Sequence, residues 1–260
     1  MGQEIIQVEN LTIGYQGKQA KVIAEGLNGS IEKGKLTCLI GANGVGKSTL
    51  LRTLCSFQPK ISGNIFIKDK PIESYSDKEL SKTIGVVLTE KIEVMDMTAK
   101  DLIALGRNPY TGFWGKLDEE DKKIIDNAIQ LIGIEGLSDK PIQNLSDGER
   151  QKVMIAKAIA QQTPIIILDE PTAFLDYPSK VEIMQLLHQL TQETNKAIFL
   201  STHDLELALQ LSDKLWLMSK EKGIEIGSTD ELAKKGSLST FFPNKSIVFD
   251  EDLHIYRIAK

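Results

Sequence analysis

The sequence predicts an α/β protein whose mostly parallel core sheet carries an N-terminal antiparallel part and an inserted helical region. Residues 1–35 alternate apolar and polar positions, which favours short antiparallel strands. Between residues 90 and 160 the apolar positions follow helical spacing, and no convincing strand pattern separates the helices. Continuous apolar runs, typical of strands covered on both faces, occur at 36–40, 84–88, 165–168 and 197–200.

These patterns divide one domain of 260 residues into parts. Pro178 suits the first turn of a helix within the core. A short strand, a short helix and a tail are expected after Gly223. We predict an α/β core with its antiparallel part over 1–89 and 161–222, a helical subdomain over 90–160 with helices at 98–106, 118–132 and 148–161, and a C-terminal extension over 223–260.

Composition narrows the class of protein. Hydrophobic residues make up 41% and charged residues 26%, as in globular domains. The net charge is −5 and no long Lys/Arg run is present, so we expect no nucleic-acid partner. No apolar run approaches the roughly 20 residues of a membrane span, and no secretory signal is visible, so we expect a cytoplasmic location. Cys38 and Cys55 lack metal-ligand spacing, which favours buried, reduced thiols.

A glycine-rich segment lies between the apolar run at 36–40 and a predicted helix at 47–55. It fits the pattern G-x-x-x-x-G-K-[ST], in which backbone N–H groups and a helix N-terminus surround phosphates. Lys47 is predicted to reach the β and γ phosphates of a nucleotide, and Ser48 to bind Mg²⁺. We therefore predict that ATP is held by Gly41-Ala42-Asn43-Gly44-Val45-Gly46-Lys47-Ser48-Thr49.

Two carboxylates follow the apolar run at 165–168. Asp169 suits the coordination shell of Mg²⁺. Glu170, one residue further, faces the other way and is a candidate base that polarises water for attack on the γ-phosphate. Isolated acidic pairs at strand ends are common, but a phosphate-binding loop in the same chain favours the catalytic interpretation.

The segment Leu145-Ser146-Asp147-Gly148-Glu149 precedes the predicted helix at 148–161. Ser146 and the first amides of that helix, including that of Gly148, form a second anion-binding arrangement. In this position the segment resembles the LSGGQ signature of ABC-transporter ATPases, from which Asp147 and Glu149 depart.

The resemblance extends over nearly the whole chain, because other family motifs follow in order. It implies that Tyr15 stacks on adenine and that His203 is the switch histidine that contacts the γ-phosphate. The segment 173–176 matches the loop after the catalytic glutamate. Where the family carries a glutamine after the run at 84–88, this chain has Glu90. A carboxylate can still bind Mg²⁺ but cannot donate a hydrogen bond, so we expect retained activity with altered metal or coupling behaviour.

The resemblance also implies partners. In this family two copies dock head to tail, with each ATP between the P-loop of one and the signature of the other. A chain without a membrane span needs separate permease subunits, which dock on the helical region and hold it at the cytoplasmic face of the membrane. Residues 104–110 are similar to a stretch in the ATPases of iron-chelate, haem and cobalamin importers, although Gly106 and Pro109 also fit an ordinary helix end.

Other functions stay open at this point. One is a non-transport ABC ATPase that acts on nucleic acid or ribosomes, which tandem cassettes or heptad repeats would favour. Another is the ATPase subunit of an exporter. A third is a nucleotide-binding module without turnover, suggested by Glu90 alone.

Overall fold

The computed structural model describes residues 3–17, 20–88, 96–112, 115–241, 247–251 and 253–259. In chain order, its strands are β1 (Glu4–Tyr15), β2 (Lys21–Glu32), β3 (Leu36–Gly41), β4 (Ser62–Ile67), β5 (Lys70–Pro71), β6 (Ile84–Val87), β7 (Ile165–Asp169), β8 (Ala197–Ser201), β9 (Lys214–Ser219), β10 (Gly223–Gly227), β11 (Ile247–Asp250) and β12 (Ile255–Ile258). The helices are α1 (Lys47–Leu54), α2 (Asp77–Ser81), α3 (Ala99–Ala104), α4 (Glu119–Ile132), α5 (Asp147–Ala160), α6 (Tyr177–Thr194), α7 (Leu205–Leu211), α8 (Thr229–Lys234) and α9 (Ser237–Phe241).

The core is a six-stranded sheet in the order β10-β9-β3-β8-β7-β6. All neighbouring pairs are parallel except β9 and β10. The predicted apolar runs became β3, β6, β7 and β8, so the prediction of a mostly parallel core is confirmed. Strand β9 was not predicted, although it pairs directly with β3.

Both faces of the core sheet are covered, which explains its continuous apolar runs. Along β7, Ile166 and Leu168 pack into one hydrophobic cluster, whereas Ile165 and Ile167 pack into the cluster on the other face. Helices α3 to α7 contribute to the first cluster and α1 to the second. The core sheet therefore lies between two hydrophobic layers. Side chains at the carboxyl ends of its parallel strands lie together at one edge of the sheet.

The N-terminal part is an antiparallel sheet in the order β2-β1-β4-β5. Antiparallel pairing was predicted, but β1 and β2 each have 12 residues and are not short. Register shifts between Val8 and Leu11 and between Leu11 and Ile13 interrupt the strict alternation of side chains. Bulges therefore made each long strand resemble shorter segments in the sequence.

The helices of the inserted region lie close to their predicted positions. Each of the three helices begins with a capping box. The N-cap residue is Thr98 for α3, Asp118, paired with Asp121, for α4, and Ser146 for α5. The predicted helix at 98–106 is divided, because α3 ends at Ala104 and a 3₁₀ turn follows over Leu105–Arg107. Gly106 therefore lies inside this turn, and a Cβ there would be 2.4 Å from the carbonyl oxygen of Lys157.

The C-terminal extension begins with β10 where a short strand was predicted, and then contains two helices and a hairpin where the sequence indicated one helix and a tail. The hydroxyl of Tyr256 on β12 donates to the carbonyl oxygen of Leu238 on α9 at 2.8 Å. Cys38 and Cys55 are buried free thiols, as expected, and burial raises the pKa of each to about 12. Within the described ranges, no helix is both long enough and apolar enough to span a bilayer.

Candidate functional site

The phosphate-binding loop connects β3 to α1. Gly44 and Gly46 have φ values of 73° and 117°, which side chains rarely permit. A Cβ on Gly46 would also lie 2.6 Å from Cγ2 of Ile23. Ala42, Asn43 and Gly44 are exposed, whereas Val45 and Thr49 are buried. The glycines therefore let the loop curl tightly while its middle stays open to a ligand.

Lys47 lies inside this loop with only 6% of its surface exposed. Its Nζ donates to the carbonyl oxygen of Gly41 at 2.9 Å. Burial lowers the pKa of Lys47, whereas the nearby charges of Glu170 and Asp169 raise it. The ammonium group therefore lies within electrostatic range of Asp169, which ends β7, and of Glu170, which follows it.

Strand order explains why these groups meet. Strand β8 lies between β3 and β7, and all three run parallel, so their carboxyl ends share one edge. The register places Asp169 directly opposite Ser201. This edge also carries the start of α1, so residues far apart in the sequence form one site.

Oxygen atoms suited to magnesium lie together at this edge. Oγ of Ser48 donates to Oδ1 of Asp169 at 3.2 Å. Adjacent ligands of an octahedral Mg²⁺ are about 2.9 Å apart, because Mg–O distances are about 2.0–2.1 Å and the angle is a right angle. The pair therefore fits a bound Mg²⁺. Glu90, the third predicted ligand, lies outside the described residues.

Glu170 and His203, the two predicted catalytic side chains, are in contact. Nε2 of His203 lies 2.6 Å from Oε1 of Glu170. Glu170 has a φ of 50°, in the left-handed region that non-glycine residues seldom adopt. Backbone strain of this kind is concentrated at functional sites, where contacts with the surrounding structure maintain the strained conformation. The turn after β7 thus directs the Glu170 carboxylate toward the end of β8.

Sequence reasoning did not identify Ser201 as a site residue, but the structure gives it a central position. Its fully buried hydroxyl donates to Oδ1 of Asp169 at 2.7 Å and accepts a bond from the N–H of Glu170 at 3.0 Å. One hydroxyl therefore contacts both residues of the acidic pair. A small hydroxyl residue at the end of the intervening strand was the available signal.

The remaining predicted site residues lie on β1 and at the start of α5. Tyr15 ends β1 and exposes 52% of its surface, which leaves its ring accessible for stacking. Ser146 caps α5, where its Oγ accepts from the N–H of Glu149 at 3.2 Å. Gly148 follows in the first turn. Helix α5 packs against α3, α4, α6 and β6, so the signature segment belongs to the helical layer.

The fold and this edge define a P-loop nucleotide-binding protein, in which a phosphate loop faces an acidic strand end. The family model described as "ABC transporter" matches residues 24–173. An ABC transporter ATP-binding protein of Methanocaldococcus jannaschii is 39% identical over 98% of this chain and 87% of its own length. The iron(3+)-hydroxamate import ATP-binding protein FhuC of Bacillus subtilis is 36% identical over 91% of this chain and 87% of its own length.

Solved structures agree with this result. CbiO1 from Clostridium perfringens, part of the ABC transporter complex cbiONQ, is similar with a TM-score of 0.78 and 32% identity over 91% of this chain and 96% of that chain. A bacterial ABC transporter cassette solved as a dimer has a TM-score of 0.74 and 26% identity over 86% of this chain and 99% of that chain. The chain belongs to the ABC transporter family of ATP-binding proteins, and it is an ATPase.

Proposed function

We propose that this ATPase powers an importer for an iron chelate, haem or cobalamin, and that permease subunits hold it at the cytoplasmic face of the membrane. The name of the FhuC relative, an iron(3+)-hydroxamate import protein, supports an iron chelate as cargo. The similarity of residues 104–110 to the corresponding importer ATPases points the same way. The cbiO1 neighbour belongs to a multi-subunit transporter complex, which supports the separate permease.

The contact between Glu170 and His203 carries the proposed mechanism. Glu170 accepts a proton from the attacking water, and His203 orients that carboxylate and contacts the γ-phosphate. Lys47 and the loop amides bind the β and γ phosphates. Ser48 and Asp169 are the side chains that would hold Mg²⁺, which neutralises phosphate charge when it is bound.

A second copy of the chain completes the site in this proposal. A tetra-anionic nucleotide needs more donors than the P-loop supplies, and the Ser146 end of α5 is a second anion-binding arrangement. Helix α5 packs in the helical layer of its own copy. We therefore expect the signature segment of a partner copy, and not that of the same copy, to close over the P-loop. Phe174 and Tyr177, just beyond Glu170, expose 75% and 60% of their surfaces. Exposed aromatic residues beside a catalytic group are typical of an interface.

The variant Glu170→Gln tests both the base and the dimer. An amide cannot take the proton, but it leaves the phosphate loop intact. We therefore expect phosphate release to fall by roughly a hundredfold or more while ATP binding persists. Size-exclusion chromatography with light scattering should show a dimer with ATP and a monomer without it. Wild-type turnover in this variant would contradict the role of Glu170, and a monomer with saturating ATP would contradict the dimer.

Purification from the native membrane tests the transport function. The chain, extracted in mild detergent, should bring a permease with it. The complex, reconstituted in vesicles, should then take up a ferric chelate, haem or cobalamin only when ATP is supplied. Lys47→Ala in the same complex is the matched control, because it should assemble with the permease yet take up nothing. Uptake that persists in that control would contradict ATP-driven import.

A further inference from the structure

We propose that Glu149 is an affinity-determining residue, a built-in anion that weakens the grip of the signature helix on the triphosphate of a second copy. This inference rests on the proposed ATP-dependent dimer. The LSGGQ signature that this segment resembles ends in an uncharged glutamine, whereas this chain has the carboxylate of Glu149 at that position. The charge of that carboxylate opposes the function proposed for the start of α5.

The carboxylate occupies donors at the start of the helix. Oε2 of Glu149 accepts a hydrogen bond from the N–H of Ser146 at 2.9 Å. The backbone and hydroxyl of Ser146 hold the pKa of Glu149 below its ordinary value, so the carboxylate stays charged at neutral pH. A phosphate approaching the helix N-terminus therefore meets a negative charge already bound there.

Neighbouring cations offset this charge unequally. Asp147, the other acidic departure from the signature, lies 3.4 Å from Nη1 of Arg150 on the next turn. Nζ of Lys140 is further from Glu149, at 3.8 Å, and half exposed. Partly exposed pairs of this kind contribute little, so neither cation cancels the charge of its partner. Because its carboxylate also accepts the N–H of Ser146, Glu149 is the acidic group whose charge bears most directly on the Ser146 end of α5.

The same hydrogen bonds elsewhere in the chain provide a matched control. At the start of α8, the N–H of Ser228 donates to Oε2 of Glu231 at 2.9 Å, and the N–H of Glu231 donates to Oγ of Ser228 at 3.2 Å. These distances equal those of the Ser146 and Glu149 pair. Glutamine also forms capping boxes, so a Glu→Gln change at either helix keeps the cap and removes only the charge.

The experiment compares dimer formation in three proteins: Glu170→Gln as the parent, and the parent with either Glu149→Gln or Glu231→Gln. Dimer dissociation constants are measured with Mg-ATP by analytical ultracentrifugation at low and high salt. We expect Glu149→Gln to lower the dissociation constant roughly tenfold at about 50 mM salt, because the dimer contains two signature helices. The difference should shrink to about twofold at about 500 mM salt as screening increases.

Each possible outcome either supports or contradicts the proposed effect of Glu149 on the dimer. Glu231→Gln should leave the constant unchanged; if it tightened the dimer equally, the effect would be one of net charge and the inference would be wrong. A parent that dimerises while Glu149→Gln brings no gain overturns the inference alone. A parent that remains monomeric overturns the proposed dimer and the inference with it. Thermal melting of all three proteins confirms that folding is retained.

Discussion

Replacing Ser201 with alanine removes a buried hydroxyl that contacts both Asp169 and Glu170. The change deletes the donor at 2.7 Å from Oδ1 of Asp169 and the acceptor at 3.0 Å from the N–H of Glu170. That N–H keeps a second acceptor, the carbonyl oxygen of residue 201, at 3.2 Å. The main loss therefore falls on the Asp169 carboxylate, which retains the contact with Ser48 at 3.2 Å.

The size of the effect follows from the loss of one hydrogen bond to a charged group. Such a bond contributes about 1.5–3 kcal/mol. Since 1.4 kcal/mol corresponds to a factor of ten, Ser201→Ala should lower the apparent affinity for Mg²⁺ roughly 10- to 100-fold. We expect the maximal rate at saturating Mg²⁺ to fall less, because excess metal restores occupancy of the site.

Phosphate release measured across a magnesium titration is the appropriate assay. Thr163→Val is the matched control, because Thr163 is equally buried and its hydroxyl donates to the carbonyl oxygen of Ile165 at 2.8 Å. That bond lies at the amino end of β7, the opposite edge of the sheet from the carboxylates. The control should lower the melting temperature without changing the magnesium dependence. A Ser201→Ala titration that superimposes on the wild-type curve would refute the positioning argument.

Two further predictions concern binding and stability. Lys47→Ala should weaken ATP binding at least roughly tenfold in calorimetry, because it removes a buried cation from the phosphate loop; unchanged affinity would contradict its role. Arg107→Leu should destabilise the fold by about 3–5 kcal/mol in denaturant titrations, because it removes the charged partner of the buried Asp121, whose Oδ1 lies 2.8 Å from the guanidinium. Replacing Asp121 with leucine as well should recover part of that loss, and a double variant no better than the single one would argue against the pair. The hydrogen bond from Arg107 holds the pKa of Asp121 below its ordinary value of 3.8, so its contribution is present above that pH and is lost as the pH falls through the lower folded value.

The residues 104–110 illustrate what sequence reasoning missed. Gly106 and Pro109 suggested an ordinary helix end, but Arg107 is only 4% exposed and connects three elements. Its guanidinium bonds Asp121 and the carbonyl oxygen of Ala160, and it lies 4.1 Å from the centroid of the Tyr110 ring. The two hydrogen-bond partners come from α4 and α5, and no local pattern marks an arginine for such contacts.

The phosphate loop, by contrast, was readable because its chemistry is local. Consecutive residues both create the conformation, through the left-handed φ values of Gly44 and Gly46, and carry the side chains proposed to bind phosphate and Mg²⁺, those of Lys47 and Ser48. The acidic end of β7 was readable only in combination, because acidic pairs at strand ends are common and the phosphate-binding loop in the same chain is what favoured a catalytic role for this one. The antiparallel part was only partly readable, because bulges in β1 and β2 obscure strand length.

The sequence by itself thus determined the class of fold, the phosphate loop and the acidic pair, because each depends on neighbours within a few residues. Only the tertiary structure decided that β8 lies between β3 and β7 and that β9 joins the sheet. It also decided that Ser201 bridges Asp169 and Glu170 and that His203 meets Glu170. Those contacts depend on strand order and register, which arise from how separate segments pack on both faces of the sheet.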